Sequence, residues 1–310
     1  MAWKPSAGLD IIRERARVYR QIRAFFNTRG CMEVDTPLLM PTTNTDANIA
    51  SSEVVCGNRR LYLQTSPEYA MKRLLAAGSG SIFQIGHAFR DGERGRLHNP
   101  EFSLLEWYRS GYDYWRLMDE MELLITSLSL RHCEFTRISY RELFKQAIDI
   151  DVDDIELKDL RATCDRLVPG SEPEELGFDQ CLDLLLGMAI APTLKGYRFV
   201  YDYPVSQAAL ARVSPHDSSV AERFELFFDG IELANGFSEL TDAAQQRARF
   251  EADNEQRARR GLPLYEIDEN LLAALESGLE DCAGVALGLD RLLMVLLDLD
   301  SIDQVLSFRD

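Results

Sequence analysis

Two apolar, strand-like runs, residues 81–86 (SIFQIG) and 101–109 (EFSLLEWYR), flank a polar, Gly-containing loop over 91–100. Short apolar runs bounded by Gly and Pro read as strands, and a loop this direct joins them as a long antiparallel hairpin. Further strands are expected at 61–64, 198–201, 224–228, 231–235 and 284–289, with 224–228 and 231–235 closing around an Asp229-Gly230 turn. Strands that pair as hairpins, with helices inserted rather than alternating, give an α+β fold: an antiparallel sheet flanked by helices. A doubly wound parallel sheet is excluded by the same pattern.

The helices have clear signals. Over 10–29, Ile11, Ile12, Val18, Tyr19, Ile22, Phe25 and Phe26 recur at three- and four-residue spacing, and Gly30 follows as a stop. Ser66-Pro67-Glu68 offers a capping hydroxyl, a proline at the first helical position and an acid in the first turn. That helix should run to about Ala77, with Gly78 ending it. Residues 113–130, 242–260 and 290–297 also read as helical. The stretch 149–175 is acidic and broken by Pro169-Gly170 and Pro173, and belongs to a peripheral helical insertion over about 140–195.

With 46% hydrophobic and 27% charged residues, the chain is neither disordered nor fibrous. Its 310 residues allow one large domain or two. Lys plus Arg total 34 against 51 Asp plus Glu, a net −17 that repels phosphate backbones, so stable nucleic-acid binding is disfavoured. No apolar run is long enough to span a membrane, and the N-terminal MAWKPSAGLD lacks a secretory pattern, so the chain is placed in the cytoplasm. Six cysteines are scattered without a C-x-x-C pair and read as reduced packing residues.

No phosphate loop, dinucleotide turn or nucleophile elbow is present. Three other segments carry chemistry. FRDGERGRLHNPEF (89–102) places Arg90, Arg94 and Arg96 on a hairpin between two apolar strands, where an arginine anchored at a strand end can reach a polyphosphate. GIELANGFSEL (230–240) sets Glu232 and Glu239 seven residues apart, a carboxylate pair suited to Mg²⁺ bound to phosphates. GVALGLDR (284–291) has small residues that let backbone approach a ligand, and Arg291 opens a helix. Taken singly, these segments read equally as a solvated loop, a charged strand end and tight packing beside a surface arginine.

Together they resemble the three signature regions of a class II aminoacyl-tRNA synthetase catalytic domain. Motif one is similar to GCMEVDTPLL (30–39), with Pro37 at a dimer contact; motif two to the 89–102 hairpin; motif three to GVALGLDRLLM (284–294). TSPEYAMKRLL, HNPEFSLLEWY and ELANGFSEL resemble the lysyl branch, most of all its freestanding paralogues that modify elongation factor P with (R)-β-lysine. The likeness covers essentially the whole chain as a single catalytic domain, 1–310, with its first helix beginning near Asp10 and no N-terminal anticodon-binding OB-fold. Ala286 stands where lysyl synthetases usually have Gly, and Thr241 where they usually have Asn.

The resemblance implies ATP-dependent activation of a lysine-like carboxylate as an adenylate, then transfer to a lysine ε-amine of elongation factor P, in a homodimer. It gives Arg90 and Arg291 the catalytic roles, on the α-phosphate and the distal phosphates. Asp91, Gly92, Glu93, Asn99, Phe102, Glu232, Leu233 and Gly288 would complete the ATP site, with Phe102 a stacking surface for adenine. Ser66, Pro67, Glu68, Glu106, Tyr108, Glu239 and Ala286 would hold the amino acid, and Glu232 and Glu239 the Mg²⁺ that accompanies ATP. A substrate with two ammonium groups needs nearby acids, which Glu68, Glu106 and Glu239 supply. The usual R-x-E of motif two reads Arg90-Asp91-Gly92 here, so either Glu93 or the Gly92 backbone takes the acid's place, or Gly92 is only a turn residue. His98 reads as a hairpin hydrogen-bonder and Trp107 as core. Two alternatives stay open: a truncated lysyl-tRNA synthetase-like enzyme, and a non-catalytic paralogue, though the latter should have lost Arg90, Glu232 or Arg291.

Overall fold

The computed structural model describes residues 3–309; Met1 and Ala2, at the start of the N-terminal stretch read above, and Asp310 lie outside them. In chain order the elements are α1 (Leu9–Asn27), β1 (Met32–Glu33), β2 (Leu39–Met40), β3 (Glu53–Cys56), β4 (Arg59–Leu63), α2 (Glu68–Ala76), β5 (Ile82–Phe89), β6 (Glu101–Ser110) and α3 (Tyr114–Leu128). Next come β7 (Phe135–Ser139), α4 (Tyr140–Ile148), α5 (Leu157–Leu167), α6 (Phe178–Leu185), β8 (Tyr197–Pro204), β9 (Val220–Phe228) and β10 (Ile231–Ser238). The chain ends with α7 (Ala243–Arg259), α8 (Glu269–Gly278), β11 (Cys282–Gly288) and α9 (Leu289–Leu297). Two compact units divide these elements: the first runs up to Arg131 and resumes at Ser238, and the second is His132–Phe237.

In the first unit the strands run in the order β1-β5-β6-β11. The expected hairpin is there: β5 and β6 pair antiparallel from Phe89 opposite Glu101 to Ile82 opposite Tyr108. β11 then pairs antiparallel with β6, from Cys282 opposite Ser110 to Gly288 opposite Leu104. Because side chains alternate along a strand, these pairs have two distinct faces. One carries Phe83, Leu105, Trp107, Val285 and Leu287, all buried. The Phe26 ring of α1 stacks on Phe83 at 4.8 Å and tilts against Trp107 at 5.3 Å. Each such fully buried side chain contributes about 1.5–3 kcal/mol. Trp107 is therefore core, its indole N–H donating to Glu120 at 3.2 Å. The other face carries Gln84, Glu106, Tyr108, Gly284 and Ala286, and forms the floor of the site.

α2 begins at Glu68, and the Ser66 hydroxyl accepts from the Glu68 N–H at 3.2 Å, the capping contact its sequence suggests. A small antiparallel sheet, β2-β4-β3, lies in the same unit.

The second unit has strands in the order β10-β9-β8-β7. Residues 140–195 are largely helical, and Tyr140, Phe144, Leu160, Leu182 and Leu185 build this unit's own core. β10 carries a bulge between Glu232 and Ala234, so Leu233 is an extra residue relative to β9.

The strand pairing is not wholly antiparallel. β1 pairs parallel with β5, and β7 parallel with β8. Parallel neighbours need a long crossover, which the 34–81 stretch and the helical 140–196 stretch supply. β3, β7 and α8 carry no expectation from the sequence. β3 has no clean alternation, and α8 falls between the helices expected at 242–260 and 290–297.

Candidate active site

The floor residues meet α2 and the end of β10 in a buried acidic cluster within the first unit. Lys72, one turn along α2 from Glu68, is buried, with its Nζ 2.8 Å from Glu68 Oε1 and 2.5 Å from Glu239 Oε2. The Glu239 N–H donates to the Cys282 carbonyl at 2.9 Å, which fixes that carboxylate beside β11. Tyr108 donates its hydroxyl proton to Glu106 Oε1 at 2.7 Å. Glu106 Oε2 and Glu239 Oε1 are buried with no hydrogen-bond partner. A buried carboxylate oxygen without a partner costs roughly 1–3 kcal/mol or more, so the cluster is built to receive donors.

Its electrostatics agree. Burial, with the Glu68 charge adding to it, pushes Glu106 up to about 8. Burial does the same to Glu239, also up to about 8, against the opposing pull of Lys72. Their protons belong to the coupled cluster rather than to either residue. Burial alone would lower the Lys72 ammonium, but Glu239 and Glu68 outweigh it and hold its pKa above the ordinary lysine value. The Tyr108 phenol is pushed well up by burial and by Glu106, so it stays protonated and donates.

Register explains how β11 shapes this floor. Ala286 lies opposite Glu106 and Gly284 opposite Tyr108. Directly paired residues share a face, with Cβ atoms about 4.5–5.5 Å apart. At Gly284 a Cβ would fall 2.3 Å from Tyr108 Cε1 and 2.6 Å from Glu239 Oε1, so only glycine admits the approach of both side chains. Ser66 and Pro67 line a cleft with Thr65, Gln64 and Asn44, at the start of α2.

The second cluster is the loop between β5 and β6. Arg90 is held by its backbone N–H donating to Pro100 O at 2.9 Å, and its guanidinium carbon lies 5.2 Å from the Phe102 ring centre. The Arg90 Nε is buried and without a partner. Gly92 has φ +75°, a left-handed turn that favours glycine. Asp91 Oδ1 accepts from the Gly92 N–H at 3.0 Å, and Glu93 Oε1 lies 3.8 Å from Arg90 Nη1. Gly92 thus takes a turn conformation, and Glu93 faces Arg90. Asn99 donates through Nδ2 to Glu101 O at 2.7 Å, bracing the start of β6.

Arg291, in the first turn of α9 after Gly288, reaches this loop. Its Nε donates to Leu97 O at 3.2 Å, and its Nη2 is 2.6 Å from His98 Nε2. Asp290 anchors the helix start, accepting from Arg15 Nη2 at 2.5 Å and from the Ser103 N–H at 2.7 Å. The first unit thus brings Arg90, Asp91, Gly92, Glu93, Asn99, Phe102 and Arg291 to one loop. Glu68, Glu106, Tyr108, Glu239 and Ala286 gather around the acidic floor.

Glu232 and Leu233 lie on β10 in the second unit. There Glu232 acts on the buried pair formed by Arg223 and Glu225, whose Nη2 and Oε1 are 2.6 Å apart, and burial pushes Glu225 up to about 7 against the Arg223 charge. Among the described residues no group of three or more His, Cys, Asp or Glu side chains forms a metal-binding cluster. A cation held by one or two carboxylates plus substrate phosphates needs no such cluster. The unpartnered Oε1 of Glu239 suits a cation, whereas its Oε2 is committed to Lys72.

Three participants escaped sequence reading. Lys72 was visible only as an E-x-x-x-K spacing common on exposed helices, and Gln84 and Gly284 become floor residues only once the register is known. Among the described residues no helix is long and apolar enough to cross a membrane.

Comparison with known proteins places these features in context. The family described as tRNA synthetases class II (D, K and N) matches residues 4–310. A Klebsiella pneumoniae (strain 342) protein named elongation factor P--(R)-beta-lysine ligase is 48% identical, over 99% of this chain and 97% of its own length. Proteins of the same name from Vibrio cholerae serotype O1 and Proteus mirabilis are 48% and 45% identical, each over 99% of this chain and 97% of their own length.

Proposed function

The chain belongs to the class II tRNA synthetase family of the D, K and N type, and from that premise we propose that it activates (R)-β-lysine with ATP and transfers it to a lysine ε-amine of elongation factor P. It is an ATP-dependent ligase. The observation that carries the substrate is the buried acidic floor, where Glu106 Oε2 and Glu239 Oε1 stand without partners. Those oxygens, with Glu68 nearby, suit the two ammonium groups of a lysine isomer.

The substrate carboxylate attacks the ATP α-phosphate, releasing pyrophosphate and leaving an acyl-adenylate. Arg90 stabilises the charge that grows on the α-phosphate, and Arg291, pinned through Leu97 and His98, holds the distal phosphates. Preorganised donors of this kind are worth roughly 2.7–4 kcal/mol each. Phe102 offers the adenine a stacking face, Asp91, Glu93 and Asn99 shape the loop around it, and Gly288 lets backbone approach. Mg²⁺ bound with ATP would neutralise phosphate charge.

In the second step the acceptor amine attacks the acyl carbon, AMP leaves, and an amide forms. The net −17 charge supports a protein acceptor over tRNA. The reaction belongs in the cytoplasm. Exposed Met32, Leu38 and Leu39 around Pro37 are apolar surface suited to a second copy of the chain, supporting a homodimer of single catalytic domains.

Pyrophosphate exchange with the purified protein tests the reading. Exchange dependent on (R)-β-lysine and weaker with α-lysine is expected; no exchange with any lysine isomer refutes it.

A further inference from the structure

Arg15, in the second turn of α1, has no part in the reaction described above, yet its guanidinium joins three distant stretches of the chain. Its Nη1 donates to Tyr19 Oη at 3.0 Å and to Ser103 Oγ at 3.2 Å, and its Nη2 donates to Asp290 Oδ1 at 2.5 Å and to the Val305 carbonyl at 2.8 Å. Asp290 is 2% exposed, and its other oxygen accepts from the Ser103 N–H. A buried carboxylate needs a cation and further donors to offset its desolvation, and Arg15 is that cation.

Asp290 is also the residue before Arg291. Neighbouring side chains on an α-helix project about 100° apart, so a carboxylate fixed inward sets the rotation of α9 about its axis and with it the direction of Arg291. Arg291 in turn grips the tip of the β5–β6 loop through Leu97 O and His98. That tip is closed by its own backbone, Gly95 N–H to His98 O at 3.1 Å and His98 N–H to Gly95 O at 3.4 Å.

We propose that Arg15 is a positioning residue for the adenylate-forming step: it holds Asp290 so that Arg291 meets the loop tip and the distal phosphates in one preset orientation. The planar arginine fork suits this task, because its donors are fixed in direction and reach Asp290, Ser103 and Val305 together. The inference rests on the assignment of Arg291 to the distal phosphates.

The test is pyrophosphate exchange with ATP and (R)-β-lysine varied in turn, for wild type and Arg15→Gln. A group displaced by about 1 Å can cost about 10²-fold, so Arg15→Gln should lower kcat/KM for ATP by about 10- to 100-fold while KM for (R)-β-lysine stays within about twofold. A cycle with Arg291→Ala separates positioning from mere support of the fold. Once Arg291 is gone, Arg15→Gln should cost less than about threefold more, because residues that act through one another are not additive. The same factor in both backgrounds, or equal losses for both substrates, overturns the proposal.

A readout without substrate separates this from the functional reading. In hydrogen exchange of the free protein, the amides of Ser103, Gly95 and His98 should lose protection in Arg15→Gln while the β6–β11 ladder keeps its own. Unchanged protection over 95–103, or a loss spread equally over β5, β6 and β11, overturns the proposal whether or not wild type is active. Absence of pyrophosphate exchange in wild type with every lysine isomer counts against the functional reading alone. Should Arg15→Gln fail to fold, Arg15→Lys, which keeps a charge beside Asp290 and loses the fork, is held to the same split between substrates and the same loss of protection.

Discussion

Ala286 lies directly across β11 and β6 from Glu106, so its methyl shares the floor with the carboxylate that has an unpartnered oxygen. A glycine at this position would widen the floor by one methyl beside the proposed ammonium site. One methyl discriminates by about 1–3 kcal/mol, roughly 10- to 200-fold. Ala286→Gly is expected to raise exchange with α-lysine relative to (R)-β-lysine within that range. An unchanged ratio removes Ala286 from the account of selectivity.

Gly284 faces Tyr108 from the same strand, and a Cβ there would meet both the Tyr108 ring and Glu239 Oε1. Gly284→Ala forces the tyrosine ring or the Glu239 carboxylate aside, an overpacking that typically costs about 1–3 kcal/mol. The loss should be seen in KM for the amino acid while KM for ATP changes little. Steady-state exchange with each substrate varied in turn checks this, and equal effects on both would point to general unfolding.

Arg90 and Arg291 stand on separate elements that meet at one loop, Arg90 where β5 ends and Arg291 at the start of α9. Replacing either by Ala is expected to lower the adenylate-forming rate by about 10²–10³-fold. Circular dichroism should be preserved, because neither guanidinium supports the core. Exchange within a few-fold of wild type would remove the assigned role.

The raised pKa of Glu106 makes a statement about stability. Its folded value, about 8, lies above the ordinary carboxyl value of 4.5. The folded state therefore binds the proton more tightly, and the stability this gives is complete below the unfolded pKa and lost as pH rises through about 8. Glu106→Gln keeps the acceptor for Tyr108 and removes the ionisation. Its melting temperature should exceed that of wild type by roughly 3–6 °C at pH 8.5, for about 2 kcal/mol of relief. At pH 5 the gap should close. Thermal unfolding at the two values measures it, and exchange should meanwhile be lost.

Much of this was legible in the chain itself, and the reasons are physical. The β5–β6 hairpin, the first helix and α2 announce themselves because their signals are local: apolar spacing, a capping Ser66 and bounding Gly and Pro. Family likeness then assigned chemistry to Arg90, Arg291, Glu106 and Glu239. The parallel pairing of β1 with β5 and of β7 with β8 was not legible, because partners joined by long crossovers leave no mark on either strand. Lys72 was hidden for a related reason. An E-x-x-x-K pair reads as a solvated helix face, and only the arrival of Glu239 from far along the sequence makes it the buried centre of an acidic floor.

The central claim is that a synthetase-type active site serves a protein acceptor. The most direct measurement is intact-mass analysis of elongation factor P after incubation with the chain, ATP and (R)-β-lysine, with tRNA present in the same reaction. The account predicts elongation factor P heavier by one lysyl residue, carried on a single lysine and stable to mild base as an amide, with the tRNA uncharged. Unmodified elongation factor P beside lysine esterified to tRNA would contradict it.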